Sequence, residues 1–189
     1  MVTKEQGKRM IEEIVGRYRL VEDNWDLVKK RVLSEQDIST KFVLPMLCAL
    51  NWDPLKIMPE GPEDQKGPEI HEKGFRERGV EGGLPDFSLR SPSSKTPFFV
   101  EVKHPSLHLN LERALKKYKD GHVVFLPSFR ESMLVRIGKN KKKEICKKFV
   151  ACSPELYVKR FDNLWNYISN SYDAEDARRA LKAWRHGQR

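Results

Sequence analysis

The run GGLPDFSLRSPSSKTPFFVEVKHP, residues 82–105, decides how this chain folds. Two strand-like segments, 85–90 and 97–103, flank the linker SPSSKTP, whose prolines and serines mark a turn. A strand alternates its side chains, so Phe98, Val100 and Val102 point one way and Glu101 and Lys103 the other. If residues 90 and 97 pair across the linker, Asp86 stands opposite Glu101, with Cβ atoms about 5 Å apart. A slip of one residue would turn Asp86 to the opposite face. Acids and amines are seldom fully buried without a partner, and an uncompensated buried charge is costly. Two compensations are open. One is an ion pair of Lys103 with either acid. The other is a divalent cation between the carboxylates, where oxygen-only donors suit Mg²⁺ or Mn²⁺. A Glu-x-Lys on an exposed edge strand is the plainer alternative, but the apolar Phe98-Phe99-Val100 run argues for a central strand.

Around this hairpin the apolar spacing changes to that of helices. Thr3 and Gln6 form a capping-box pattern, and Ile11, Ile14, Val15 and Tyr18 predict a helix over 4–20. A second helical stretch runs around Trp25 to Val32. Ser34 to Asp37 starts another helix, with Ile38, Phe42, Met46 and Ala49 on one face; Pro45 within it predicts a kink or an early stop. A short strand over 55–58 leads into a loop-rich stretch, 60–83, with a further strand somewhere in 70–79. After the hairpin come a helix over 109–119 ending at Asp120-Gly121, and strands over 122–126 and 133–138. A last short strand falls in KFVACS. Ser153-Pro154 opens a helix with Tyr157, Phe161, Leu164, Trp165 and Ile168 on one face, and Asp173 opens a final one with Ala177, Leu181 and Trp184 buried. The order predicts one α/β domain over 1–189: a central mixed β-sheet flanked by helices, its core over about 34–138 and a helical extension over about 153–186. No glycine-rich phosphate loop is present, so no nucleotide cofactor is expected.

Composition narrows the partners. The formal net charge is +9, which suits a polyanion such as DNA or RNA. Charge is densest in GKNKKKEICKK, residues 138–148, with six lysines against one glutamate, and in the basic last twelve residues. Lys139, Lys141, Lys142 and Lys143 are the candidate DNA-backbone contacts, since phosphate neutralisation supplies most non-specific binding. Lys116 and Lys117 are further candidates, though a solvent-facing helix side explains them equally. No run approaches the roughly eighteen apolar residues of a membrane span, and the N-terminus is too polar for a signal peptide. Three cysteines without metal or redox spacing read as reduced, in keeping with a cytoplasmic protein. His104 and His108 are four apart, but Pro105 argues against a helix carrying both as zinc ligands.

Pro85-Asp86 followed by Glu101-Val102-Lys103 resembles the signature of the PD-(D/E)XK nuclease superfamily. SEQDISTKFVLPMLCALNWDP, residues 34–54, is similar to the helix that opens the nuclease domain of type I restriction enzyme motor subunits. Glu35, Pro45, Leu47 and Trp52 match that pattern, with Asn51 where the family prefers glycine. Ser39 replaces a basic residue often found four positions after the first glutamate. Tyr118 fits the tyrosine of the family's Gln-x-x-x-Tyr motif, but Ala114 stands where glutamine would be. The resemblance covers about residues 34–126, and no helicase motif accompanies it.

The resemblance implies a restriction-endonuclease-like core and a metal-dependent deoxyribonuclease. Asp86 and Glu101 would hold Mg²⁺ or Mn²⁺ with the Val102 carbonyl, and Lys103 would orient the attacking water. Glu35 would reach the site through a metal-bound water. An acid in a first helical turn is also favourable by itself, by about 0.3–1 kcal/mol. Two other functions fit the same fold. One is a nucleic-acid-binding or assembly protein without the chemistry, which Ala114 and Ser39 favour. The other is a Holliday-junction-resolvase-like nuclease, which would act as a homodimer.

Overall fold

A computed structural model describes residues 2–26, 33–52, 69–72, 86–90, 98–116, 118, 121–138, 140, 143–151 and 153–170. Its helices are α1 (Lys4–Asp23), α2 (Glu35–Ile38), α3 (Leu44–Ala49), α4 (Leu111–Leu115), α5 (Glu155–Lys159) and α6 (Phe161–Ile168). Its strands are β1 (Glu69–Glu72), β2 (Phe87–Arg90), β3 (Phe98–Val100), β4 (Val123–Leu126), β5 (Ser132–Ile137) and β6 (Lys143–Ala151). They form one six-stranded sheet in the order β1-β2-β3-β4-β5-β6. Only β3 and β4 pair in parallel; every other neighbouring pair is antiparallel. The chain is therefore an α/β protein with a mixed sheet.

The parallel pair needs a crossover, and the segment carrying α4 supplies it. Alternation along β3 sorts the core into two layers. Phe98, Val100 and Val102 join Phe87, Leu89 and Phe125 in a cluster with Ile11, Tyr18, Phe42 and Trp165 from the helices. Phe99 faces the other way, among Leu115, Tyr118, Val124, Leu126 and Val135. Helices thus cover the strands bearing Glu101 from both sides, which makes β3 the central strand its sequence suggests.

Local chemistry explains the helix ends. The Thr3–Gln6 capping box forms in both directions, as does a second one between Ser34 and Asp37. The disruption expected at Pro45 is a π-helical turn, Ser39–Val43, in which Leu44 N–H donates to Ser39 C=O. Pro45 then lies in the first turn of α3, where a missing N–H costs little. That helix ends with Asn51 at φ 68°. Asn51 N–H donates to Cys48 C=O at 3.0 Å and Trp52 N–H to Leu47 C=O at 3.0 Å, a left-handed cap. Asparagine is the residue that best follows glycine into this conformation. Its side chain adds two bonds glycine lacks, accepting from Val2 N–H at 3.0 Å and donating to Asn170 C=O at 2.9 Å. Asn51 thus ties the end of α3 to both the N-terminal and the C-terminal segments.

Four expectations need correction. The helix expected over 109–119 is the shorter α4, Leu111–Leu115. The helix predicted after Ser153 is two helices, because Arg160 leaves helical geometry (φ −108°, ψ 27°) and closes α5 while opening α6. The break lets Tyr157 stack on Phe129 while Phe161 and Trp165 pack together. The last strand is longer than KFVACS, spanning Lys143–Ala151 with a register shift opposite Met133 to Val135. Helix α1 also runs past residue 20, to Asp23. The strand over 55–58, most of the loop over 60–83, residues 27–32 and the helix from Asp173 with Trp184 lie outside the described residues.

Candidate active site

Strand β3 continues as extended chain beyond its last ladder pair. Glu101 N–H donates to Phe125 C=O at 2.9 Å, and Lys103 N–H to Pro127 C=O at 3.0 Å, both toward β4. The amide between them turns the other way: Val102 N–H donates to Asp86 Oδ2 at 2.8 Å. Asp86 N–H in turn donates to Val100 C=O at 3.1 Å. The ladder pairs Phe87 with Val100 and Leu89 with Phe98, so Asp86 stands opposite Glu101, in the register the linker length predicted. The Asp86 carboxylate takes up an N–H that a regular ladder would give to a backbone carbonyl, a role short acidic side chains perform readily.

Glu101 is held at both oxygens. Lys103 Nζ donates to Oε1 at 3.0 Å, and the Tyr118 hydroxyl donates to Oε2 at 3.0 Å. The Glu101 and Lys103 side chains are 13% and 22% exposed, so the pair is largely shielded from solvent. Of the two compensations the sequence left open, the ion pair forms between Glu101 and Lys103. Tyr118 is fully buried and stacks near Phe99, with ring centroids 5.2 Å apart. Burial pushes its hydroxyl far above the usual phenol range; the charge of Glu101, the bond to it and the charge of Asp86 push further.

The loop after β4 supports this end of the sheet. Phe129 has φ 64°, a conformation costing a bulky residue about 1–3 kcal/mol. Its ring stacks between Tyr18 and Tyr157, with centroids 5.0 and 4.9 Å away, contacts worth about 0.5–1.5 kcal/mol each. The stack offsets the strain and keeps Pro127 where its carbonyl meets Lys103.

Glu35 is the first residue of α2, and its Oε2 accepts the His104 N–H at 3.1 Å. His104 is buried, with Nε2 2.7 Å from Leu33 C=O and Nδ1 2.7 Å from Ser106 Oγ. Among the described residues, no three of His, Cys, Asp and Glu gather closely enough to hold a metal ion. Asp86, Glu101 and the Val102 carbonyl remain as a hard-oxygen donor set, two carboxylates and a main-chain oxygen, whose chemistry fits Mg²⁺ or Mn²⁺. His108 is fully exposed beside Glu131 at 3.8 Å, so it shares no site with buried His104.

Lys116 is exposed just beyond α4, and Lys143 opens β6. Lys117, Lys139, Lys141 and Lys142 lie outside the described residues. The sequence offers Tyr118 only as a match to the tyrosine of a family motif and His104 only as a zinc ligand. The signals for their contacts were the tyrosine spacing after β3 and the alternation that turns residue 104 to the same face as Val102. Removing the Tyr118 hydroxyl with Tyr118→Phe should cost about 1.5–3 kcal/mol, the range for a bond to a charged group. Urea unfolding measures this; a loss under about 0.5 kcal/mol would mean Lys103 alone satisfies Glu101.

Comparison with family models, with curated proteins and with solved structures returned no match. Among the described residues, no helix is long and apolar enough to cross a membrane.

Proposed function

We propose that this chain is a metal-dependent nuclease with a restriction-endonuclease-like core of the PD-(D/E)XK kind, hydrolysing DNA phosphodiester bonds. The observation that carries this reading is the meeting of two carboxylates and one ammonium at the end of a central strand, with Asp86 on the amide between Glu101 and Lys103. Asp86, Glu101 and the Val102 carbonyl would hold Mg²⁺ or Mn²⁺. When bound, the ion supplies a water of lowered pKa and positive charge beside the phosphoryl oxygens. Lys103 is paired with Glu101, where its ammonium would orient that water and offset negative charge developing on the phosphate. Tyr118 fixes the second Glu101 oxygen, so the carboxylate meets its ligand already oriented. The net charge of +9 favours a polyanionic substrate, and Lys116 offers an exposed cation after the active strand.

A second reading, a nucleic-acid-binding or assembly protein that performs no chemistry, is favoured by one observation: both Glu101 oxygens already have protein partners. Plasmid and single-stranded DNA incubated with the protein in Mg²⁺, Mn²⁺ or EDTA separate the two. Cleavage that needs metal and disappears in Glu101→Ala supports the nuclease. Binding without cleavage in either metal supports the second reading.

A further inference from the structure

Residue 104 makes contacts that the proposed chemistry does not use. His104 follows Lys103 directly and is 5% exposed. Alternation turns it to the face of Val100 and Val102, the layer where the N-terminal helices pack. A carbonyl can only accept, so the ring carries its proton on Nε2 and donates to Leu33 C=O at 2.7 Å. Nδ1 then accepts from Ser106 Oγ at 2.7 Å and from Ser106 N–H at 3.2 Å. The same residue's backbone N–H donates to Glu35 Oε2 at 3.1 Å. One residue thus holds the start of α2 at two points on either side of Ser34, the Leu33 carbonyl and the Glu35 side chain. Glu35 and His104 are 69 positions apart, so the link joins segments that local structure does not bring together.

We propose that Glu35 and His104 form a clamp that fixes the Glu101–Lys103 strand end against the N-terminal helical layer, with Glu35 a positioning residue and not a metal ligand. The inference rests on the nuclease reading only for the word metal; the clamp itself rests on the four bonds. The described partner of the Glu35 carboxylate is an N–H donor, the backbone of His104, which engages Oε2. The clamp sets the height of Lys103 relative to α2 and so holds the charged cluster in register with the helices.

The test uses the full chain with Glu35→Gln, Glu35→Ala, His104→Gln and Glu101→Gln. Amide hydrogen exchange is read at residues 33–38 and 103–106, and Mn²⁺ binding by calorimetry. Glutamine at 35 keeps an oxygen for the His104 N–H, so protection should stay within about threefold of wild type; alanine should speed exchange at His104 about tenfold, the effect of one lost hydrogen bond. His104→Gln keeps a donor for Leu33 and should preserve protection over 33–38. Mn²⁺ affinity should stay within about twofold in Glu35→Gln and collapse in Glu101→Gln. Unchanged exchange at His104 in Glu35→Ala overturns the clamp. Mn²⁺ affinity lost in Glu35→Gln as fully as in Glu101→Gln overturns the positioning role. If wild type binds no Mn²⁺ and cuts no DNA, the nuclease reading falls, and the exchange data still decide the clamp.

Discussion

Gly7→Ala is expected to lower folding stability by about 1–3 kcal/mol, while Gly16→Ala in the same helix raises it by about 0.5–1 kcal/mol. A Cβ on Gly7 would stand 2.5 Å from Ala49 O and 2.9 Å from Trp165 Cζ3. The first neighbour is backbone at the end of α3 and cannot step aside cheaply. The second is a fully packed indole, and Phe161 lies 3.5 Å away. Gly7 is therefore where α1 comes closest to α3 and α6, and one methyl group must push three elements apart. A Cβ on Gly16 meets nothing within 4 Å, so that position shows only the helix preference of alanine over glycine. Urea unfolding of the two variants measures the contrast. Equal, small effects would mean the helix layer packs less closely than described.

On the proposed nuclease reading, the amide variants Glu101→Gln and Asp86→Asn should each reduce metal-dependent DNA cleavage on the order of a thousandfold or more, equivalent to about 4 kcal/mol of transition-state stabilisation. Both substitutions keep the shape and one acceptor oxygen. An amide oxygen at position 86 can still take the Val102 N–H; one at position 101 can take either the Tyr118 hydroxyl or the Lys103 ammonium but not both, since the amide nitrogen only donates. What disappears is the negative charge. Circular dichroism should change little and Glu101→Gln should lose about 1–3 kcal/mol in unfolding, while metal binding and cleavage fall together in both variants. Cleavage within about tenfold of wild type in Glu101→Gln would sink the assigned role, whatever the fold does.

Much of the hairpin was readable because its information is local. The alternation of Phe98 to Lys103 fixed the faces, and the seven-residue linker fixed the register that sets Asp86 opposite Glu101. The capping boxes at Thr3 and Ser34 were equally local. What the sequence concealed depends on distant partners. Tyr118 looks like a core aromatic until Glu101 is placed beside it. His104 next to Pro105 looks like a loop residue until Leu33 and Glu35 arrive from another layer. The break at Arg160 follows no proline or glycine; it reflects the packing of Tyr157 against Phe129 on one side and of Phe161 against Trp165 on the other. The π-turn before Pro45 was visible only as a disruption, since a proline marks where a helix is disturbed but not how it recovers.

The sequence distances within the charged cluster also bear on how the molecule assembles itself. Glu101 meets Lys103 across 2 positions, Asp86 meets Val102 across 16, and Tyr118 meets Glu101 across 17. The ties that seal the helices are far longer: 110 from Tyr18 to Ser128, 116 from Trp52 to Ile168 and 119 from Asn51 to Asn170. Closing short loops costs less chain entropy than closing long ones, and contacts of low separation form sooner. Gathering the acids and the ammonium therefore costs the chain less loop entropy than each tie by which the N- and C-terminal segments close around them.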